Sequence, residues 1–166
     1  TNVERSAVLL TVQYPDVVAA LLSQLAGAVA ANVAEGVDGL GALTATLFTD
    51  DRYLRAMMVL LAHDNVHEAM SQASPDVAEL LGQLSVDDEP PGVDQEIADQ
   101  VGDTFALLFV ASSRRASQAL RRRSVESGEA FDLGELRQSA EELLKADTRL
   151  GAMRRLLPWL LAVEGE

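Results

Sequence analysis

The stretch DQEIADQVGDTFALLFVASSRRASQALRRRSVES, residues 94–127, decides the fold. It holds no proline, and Gly102 is its one glycine. Ile97, Val101, Thr104, Phe105, Leu108, Ser112, Ala116 and Leu120 recur at three- and four-residue steps, which places them on one face of an α-helix. At about 1.5 Å per residue this predicts one helix of about 45–50 Å. Its first half is apolar. Its second half carries Arg114, Arg115, Arg121, Arg122 and Arg123, so the helix is expected to start buried and to leave the body of the domain.

On the C-terminal side, Ser127-Gly128 reads as a turn, and Asp132 followed by Glu135 resembles a capping box with Asp in place of Ser or Thr. A helix to about Lys145 is predicted, with Leu133, Leu136, Ala140, Leu143 and Leu144 on one side. Residues 94–145 therefore read as an antiparallel helical hairpin. Asp147 to Ala162 reads as a further helix, broken or ended near Pro158.

On the N-terminal side, Asp87 to Gly92, with two prolines and three acids, reads as a loop. Ser74-Pro75 supplies an N-cap and a first-turn proline for a helix ending near Leu84. A short helix is expected over Val66–Gln72, and Thr49-Asp50-Asp51 opens another that runs to about Asp64. Val3–Gln13 and Pro15 to about Leu25 read as helices separated at Tyr14. The Ala- and Gly-rich segment 26–47 reads as a short helix near 28–35 followed by a loop. The expected fold is all-α: a multi-helix bundle over residues 1–110, then a helical hairpin and tail over 111–166, bridged by the long helix.

Composition narrows the chemistry. The chain of 166 residues fits one ordinary domain, or one with a small appendage. Seven aromatic residues and an abundance of Ala, Leu and Val favour helices. The absence of cysteine excludes disulfides, thiolate catalysis and Cys-based zinc sites. No run has the length of a membrane span and no secretory leader pattern opens the chain, so a cytoplasmic protein with no membrane partner is expected. The net charge of −13 argues against nucleic acid as the main partner, because phosphate contacts need clustered Lys and Arg. The charge is uneven: residues 1–113 hold three Arg against seventeen acids, and residues 114–166 hold ten Lys or Arg against nine acids.

No credible active site, cofactor site or small-molecule substrate site emerges. His63-Asp64-Asn65-Val66-His67-Glu68 places two histidines at i and i+4, a spacing that shares a metal on a helix. Asn65 signals a helix end between them, however, and surface histidines near a helix terminus are the plainer reading. Acid pairs such as Asp50-Asp51 and Glu141-Glu142 are what an acidic protein carries by default. Gly36, Gly39 and Gly41 lack the following Gly-Lys-Ser/Thr of a phosphate loop. The tail concentrates Leu150, Met153, Leu156, Leu157, Trp159, Leu160 and Leu161 beside Arg149, Arg154 and Arg155. Trp and Arg are favoured interface residues, although such a segment can equally fold back on the helices before it.

In the order of these features the chain resembles the C-terminal domain of bacterial DnaG-type primases. Ala7-Val8-Leu9-Leu10-Thr11-Val12-Gln13-Tyr14-Pro15-Asp16-Val17 looks like that family's opening, and Leu47-Phe48-Thr49-Asp50-Asp51-Arg52-Tyr53 like its apolar-aromatic step into the next helix. The terminal arm, Leu133-Gly134-Glu135-Leu136 through Leu143-Leu144-Lys145, follows in the family's order. The resemblance covers about residues 3–146. It implies a non-catalytic domain of a DNA primase whose hairpin docks on the N-terminal domain of a DnaB-type replicative helicase and couples primer synthesis to unwinding. The expected partner contacts are Leu136, Arg137, Leu143, Leu144, Arg149, Leu156, Leu157 and Trp159. Competing readings are the helicase's own N-terminal domain, a helical ligand-binding or dimerisation domain of a regulator, and a metal-dependent helical hydrolase.

Overall fold

The computed structural model describes residues 2–30, 39–63, 65–86, 97–128 and 133–164. Among these the fold is all-α, with nine helices and no strand. They are α1 (Asn2–Gln13), α2 (Pro15–Ala30), α3 (Gly39–Leu47), α4 (Asp51–Ala62), α5 (Val66–Gln72), α6 (Pro75–Ser85), α7 (Ile97–Ser127), α8 (Leu133–Glu142) and α9 (Arg149–Glu164). The chain divides into two compact units. One is Thr1–Gln24 with Phe48–Phe105, and the other is Leu25–Leu47 with Ala106–Glu166. Residues 25–47 thus belong with the C-terminal part of the chain, a long-range association that local sequence patterns do not encode.

In the first unit α1 packs on α4 and α6, α4 on α5 and α6, and α5 on α6. Ala7, Val8, Met57, Leu81 and Leu84 are buried there. Between Val3–Gln13 and Pro15–Leu25 the chain bends by 112°. No single helix among the described residues is long and apolar enough to cross a membrane.

A buried carboxylate ties α1 to the start of α4. Glu4 is 4% exposed and accepts from Thr49 N at 2.9 Å, Thr49 Oγ1 at 2.7 Å and Asp50 N at 3.0 Å. Asp50 is the N-cap of α4 and accepts from Arg52 N and Tyr53 N. Two carboxylates therefore face the positive end of one helix, where negative charge and spare N–H donors stabilise each other. Asn65 caps α5 by accepting from Glu68 N at 2.9 Å. Ser74 occupies the N-cap of α6, but its hydroxyl donates to Asp76 Oδ1 rather than accepting from the helix backbone.

The second unit is built around α9, which packs on α8 and on α3. Ala152, Met153, Leu156, Leu157 and Leu160 are buried along one stripe of α9. The helix runs through Pro158, whereas the sequence reading ends or breaks it there. Proline removes one helical N–H and crowds the preceding turn. Here its ring is on the exposed side, with buried leucines before and after it holding the helix in register.

One further expectation changes. Gly39–Leu47 is a helix, not the loop that its glycines suggest, because Leu43 and Leu47 are fully buried and α3 has α9 to pack on. The distal half of α7, from Ala106 on, belongs to the second unit, where Ala116 and Leu120 are buried. The C-terminus of α3 is closed by α7: Thr46 O accepts from Ser112 Oγ at 3.2 Å and Arg115 Nη2 at 3.1 Å. A cation at the negative end of a helix is favourably placed. The end of α7 is also as read. Gly128 has φ 76° and donates its N–H to Ser124 O, a left-handed cap that suits glycine. The expected loop 87–92, Asp94 to Glu96 at the head of the long helix, residues 31–35 of the expected short helix, Asp64 and the Asp132 cap lie outside the described residues.

Candidate docking surface

The two histidines do not share a helix. α4 ends at Ala62 and α5 begins at Val66, with Asn65 capping the second. The Nδ1–H of His63 donates to Val59 O at 2.8 Å, while His67 is exposed. No group of three or more His, Asp or Glu side chains with metal-binding geometry exists among the described residues. Nearby, Arg55 joins α4 to α6 by donating to Asp51 Oδ2, Ser74 Oγ and both oxygens of Asp76. The Arg55 guanidinium, then the Ser74 hydroxyl, hold the Asp76 carboxyl well below the usual carboxylate range. Both partners are bound to each other on an exposed flank, a structural arrangement that leaves neither poised for acid–base work.

The eight residues expected to contact a partner fall into two groups. Leu136, Leu143, Leu156 and Leu157 are 3% exposed or less, so their side chains are occupied in packing inside the second unit. α8 and α9 pack on each other in that unit. The remaining four retain surface. Leu144 is 67% exposed and Arg137 is exposed, while Arg149 and Trp159 are half-buried. Arg149 is partly committed, because its Nε donates to Leu143 O at 3.1 Å.

The turn between α8 and α9 is firmly held. Thr148 Oγ1 donates to Glu142 O at 2.8 Å, satisfying a carbonyl at the end of α8. Arg155 of α9 pairs with Glu142 and reaches Ser139 Oγ. Arg137 therefore sits on a braced helix, and Leu144 in the held turn that follows it.

Those two residues border a groove of about 430 Å³ between α7 and α8. The α7 side is formed by Val110, Arg114, Ser117 and Arg121, spaced i, i+4, i+7 and i+11, and the other side by Leu136 and Ala140 of α8 and Leu144 in the turn after it. This face of α7 is distinct from the stripe through Leu108, Ser112, Ala116 and Leu120. Arg114, Arg121 and Arg137 are exposed on its margin, and the structure gives none of the three a hydrogen bond or ion pair with a described residue. Glu141 is the one acid in the lining. Val125, one turn beyond Arg121, is 87% exposed and extends the same face.

Sequence reasoning singled out Arg114 and Arg121 only as members of a cluster, and it missed Val110 and Ser117. The signal was present as a second three- and four-residue periodicity in α7, offset from the buried stripe. Against models of known protein families, curated proteins and solved structures, the chain shows no match.

Proposed function

We propose that the chain is a non-catalytic docking domain of a bacterial DNA primase that binds a DnaB-type replicative helicase. Its role is to hold primer synthesis at the unwinding fork. The observation that carries the docking part is the surface of the second unit: exposed Leu144 in the turn after α8, beside Arg137 of α8 and Arg114 and Arg121 of α7, which make no hydrogen bond or ion pair among the described residues. An apolar groove with arginines on its margin has the make-up of many protein-interaction sites. The identity of the partner rests on the resemblance of residues 3–146 to the primase family.

Removing residues 128–166 is a poor test, because it strips α8 and α9 from the unit and takes away the helix on which α3 packs. Exposed positions serve better. The full chain should bind the isolated N-terminal domain of the replicative helicase in calorimetry. The double variant Arg137→Glu/Leu144→Asp should weaken that binding by about tenfold or more while circular dichroism stays unchanged. Absence of binding at about 50 μM, where a micromolar complex is nearly saturated, would remove this reading.

A further inference from the structure

The α7/α8 groove has a chemistry that specifies its occupant. Its floor is apolar, from Val110, Leu136, Ala140 and Leu144. Its margin carries three cations against the single acid Glu141, in a protein whose net charge is −13. From Val110 to Arg121 the α7 wall rises by about 16 Å, or three helical turns. Arg114 and Arg121 are seven residues apart, so they project from the same face of α7 about 10 Å from one another.

A groove between two helices accepts a third helix when that helix offers an apolar ridge. The charges then decide which helix. Acidic side chains flanking the ridge, two turns apart, meet Arg114 and Arg121, and one on the opposite flank meets Arg137. A basic helix is repelled by the same three positions, and a purely apolar one leaves them without partners. A flat nucleic acid backbone would meet the cations but leave Leu144 and the apolar floor uncovered.

We infer that the groove between α7 and α8 binds an acidic amphipathic helix of about three turns, supplied by a partner protein, with its apolar ridge on Val110, Ala140 and Leu144 and its carboxylates on Arg114, Arg121 and Arg137. The inference rests on the second unit being the docking unit, but not on the partner being a helicase.

The test uses the full chain and a fluorescein-labelled, side-chain-stapled peptide of about twelve residues, long enough to span the groove. The peptide has leucines at i, i+3, i+7 and i+10 and glutamates on both flanks. The expected result is saturable anisotropy, with amide shift changes confined to residues 110–125 and 136–144. Affinity should fall by about tenfold or more in Arg114→Glu/Arg121→Glu, and also in Leu144→Asp. All three positions are exposed, and unchanged circular dichroism with unchanged Trp159 emission establishes that the variants are folded. The same peptide with lysines for glutamates should not bind.

Equal binding of the lysine peptide, or equal binding by the variants, overturns the inference. So does an absence of peptide binding, or concentration-dependent self-association that Arg114→Glu/Arg121→Glu removes, since a second copy would then be the occupant. The helicase titration separates this from the wider reading. Helicase binding without peptide binding would sink the groove inference alone. Peptide binding without helicase binding would sink the helicase alone.

Discussion

Replacing Glu4 tests whether a single buried carboxylate holds α1 to the entrance of α4. In Glu4→Ala three accepted bonds disappear together, two from the backbone N–H groups of Thr49 and Asp50 and one from the Thr49 hydroxyl. A hydrogen bond to a charged group is worth about 1.5–3 kcal/mol when its partner is left behind. Thr49 and Asp50 are themselves exposed, so water can reach the orphaned donors and the low end applies. Two backbone donors at that value give a loss of about 3 kcal/mol. Glu4→Gln keeps the shape and one acceptor oxygen, and should lose about half as much. Urea unfolding reads this out in a Trp159→Phe background, where fluorescence comes from Tyr14 and Tyr53, both in the first unit. With a slope of about 2 kcal/mol per molar, the tyrosine transition should move down by about 1.5 M in Glu4→Ala. A midpoint shift below about 0.3 M, or Glu4→Gln falling further than Glu4→Ala, would refute the reasoning. The first result would mean that water replaces the carboxylate at no cost, and the second that its volume matters more than its acceptors.

Other positions give sharper, smaller readouts. Because Arg55 and Ser74 depress the folded-state pKa of Asp76, its contribution is complete above the unfolded carboxylate value of about 4 and fades as pH falls through the lower folded value. The urea midpoint difference between the protein and Asp76→Asn should accordingly be constant near neutrality and shrink only in acid. Leu157→Ala should cost about 2–5 kcal/mol, followed through Trp159 emission, because Leu157 is fully buried in the second unit. Its neighbour should behave oppositely: Pro158→Ala restores a helical N–H at an exposed position and should stabilise the unit by up to about 3 kcal/mol. Arg115→Met should cost about 1–2 kcal/mol by removing the charged one of the two donors to Thr46 O, with faster amide exchange in α3.

The elements most legible in the sequence were those whose ends carry their own chemistry. Asp50 before α4, Asn65 before α5, Pro75 in the first turn of α6 and Gly128 after α7 fix boundaries by local hydrogen bonds or backbone freedom. Such signals operate within four residues, which is why they can be read without the rest of the chain. The misread elements were those settled by distant partners. α3 has glycines at positions 39 and 41 that weaken it locally, and it is helical with α9 to cover Leu43 and Leu47. α9 carries a proline that should stop it, but five buried side chains outweigh one lost hydrogen bond. The candidate contacts suffered from the same limit. Leu136, Leu143, Leu156 and Leu157 have the amphipathic spacing of an interface, and the interface they form is internal. Periodicity tells which face is covered, not what covers it.

The arginines of α7 show how one cluster divides its work. Adjacent residues on an α-helix point about 100° apart. Arg115 therefore turns toward Ser112 and the end of α3, where its guanidinium donates to Ser112 Oγ at 2.9 Å and to Thr46 O. Arg114 turns the other way, onto the groove margin, and Arg121 follows it two turns on. Two neighbouring arginines of identical charge thus have separable consequences. Loss of Arg115 loosens the unit, whereas reversal of Arg114 leaves its packing intact and changes only the field offered to an incoming helix. A surface charge makes a small contribution to folding and a larger one to partner selection, because opposite charge steers encounters and like charge rejects them. Arg114 and Arg121 make no hydrogen bond or ion pair among the described residues, so neither adds a bond to the fold beside exposed Leu144. The proposed docking role would use both the charge and the leucine.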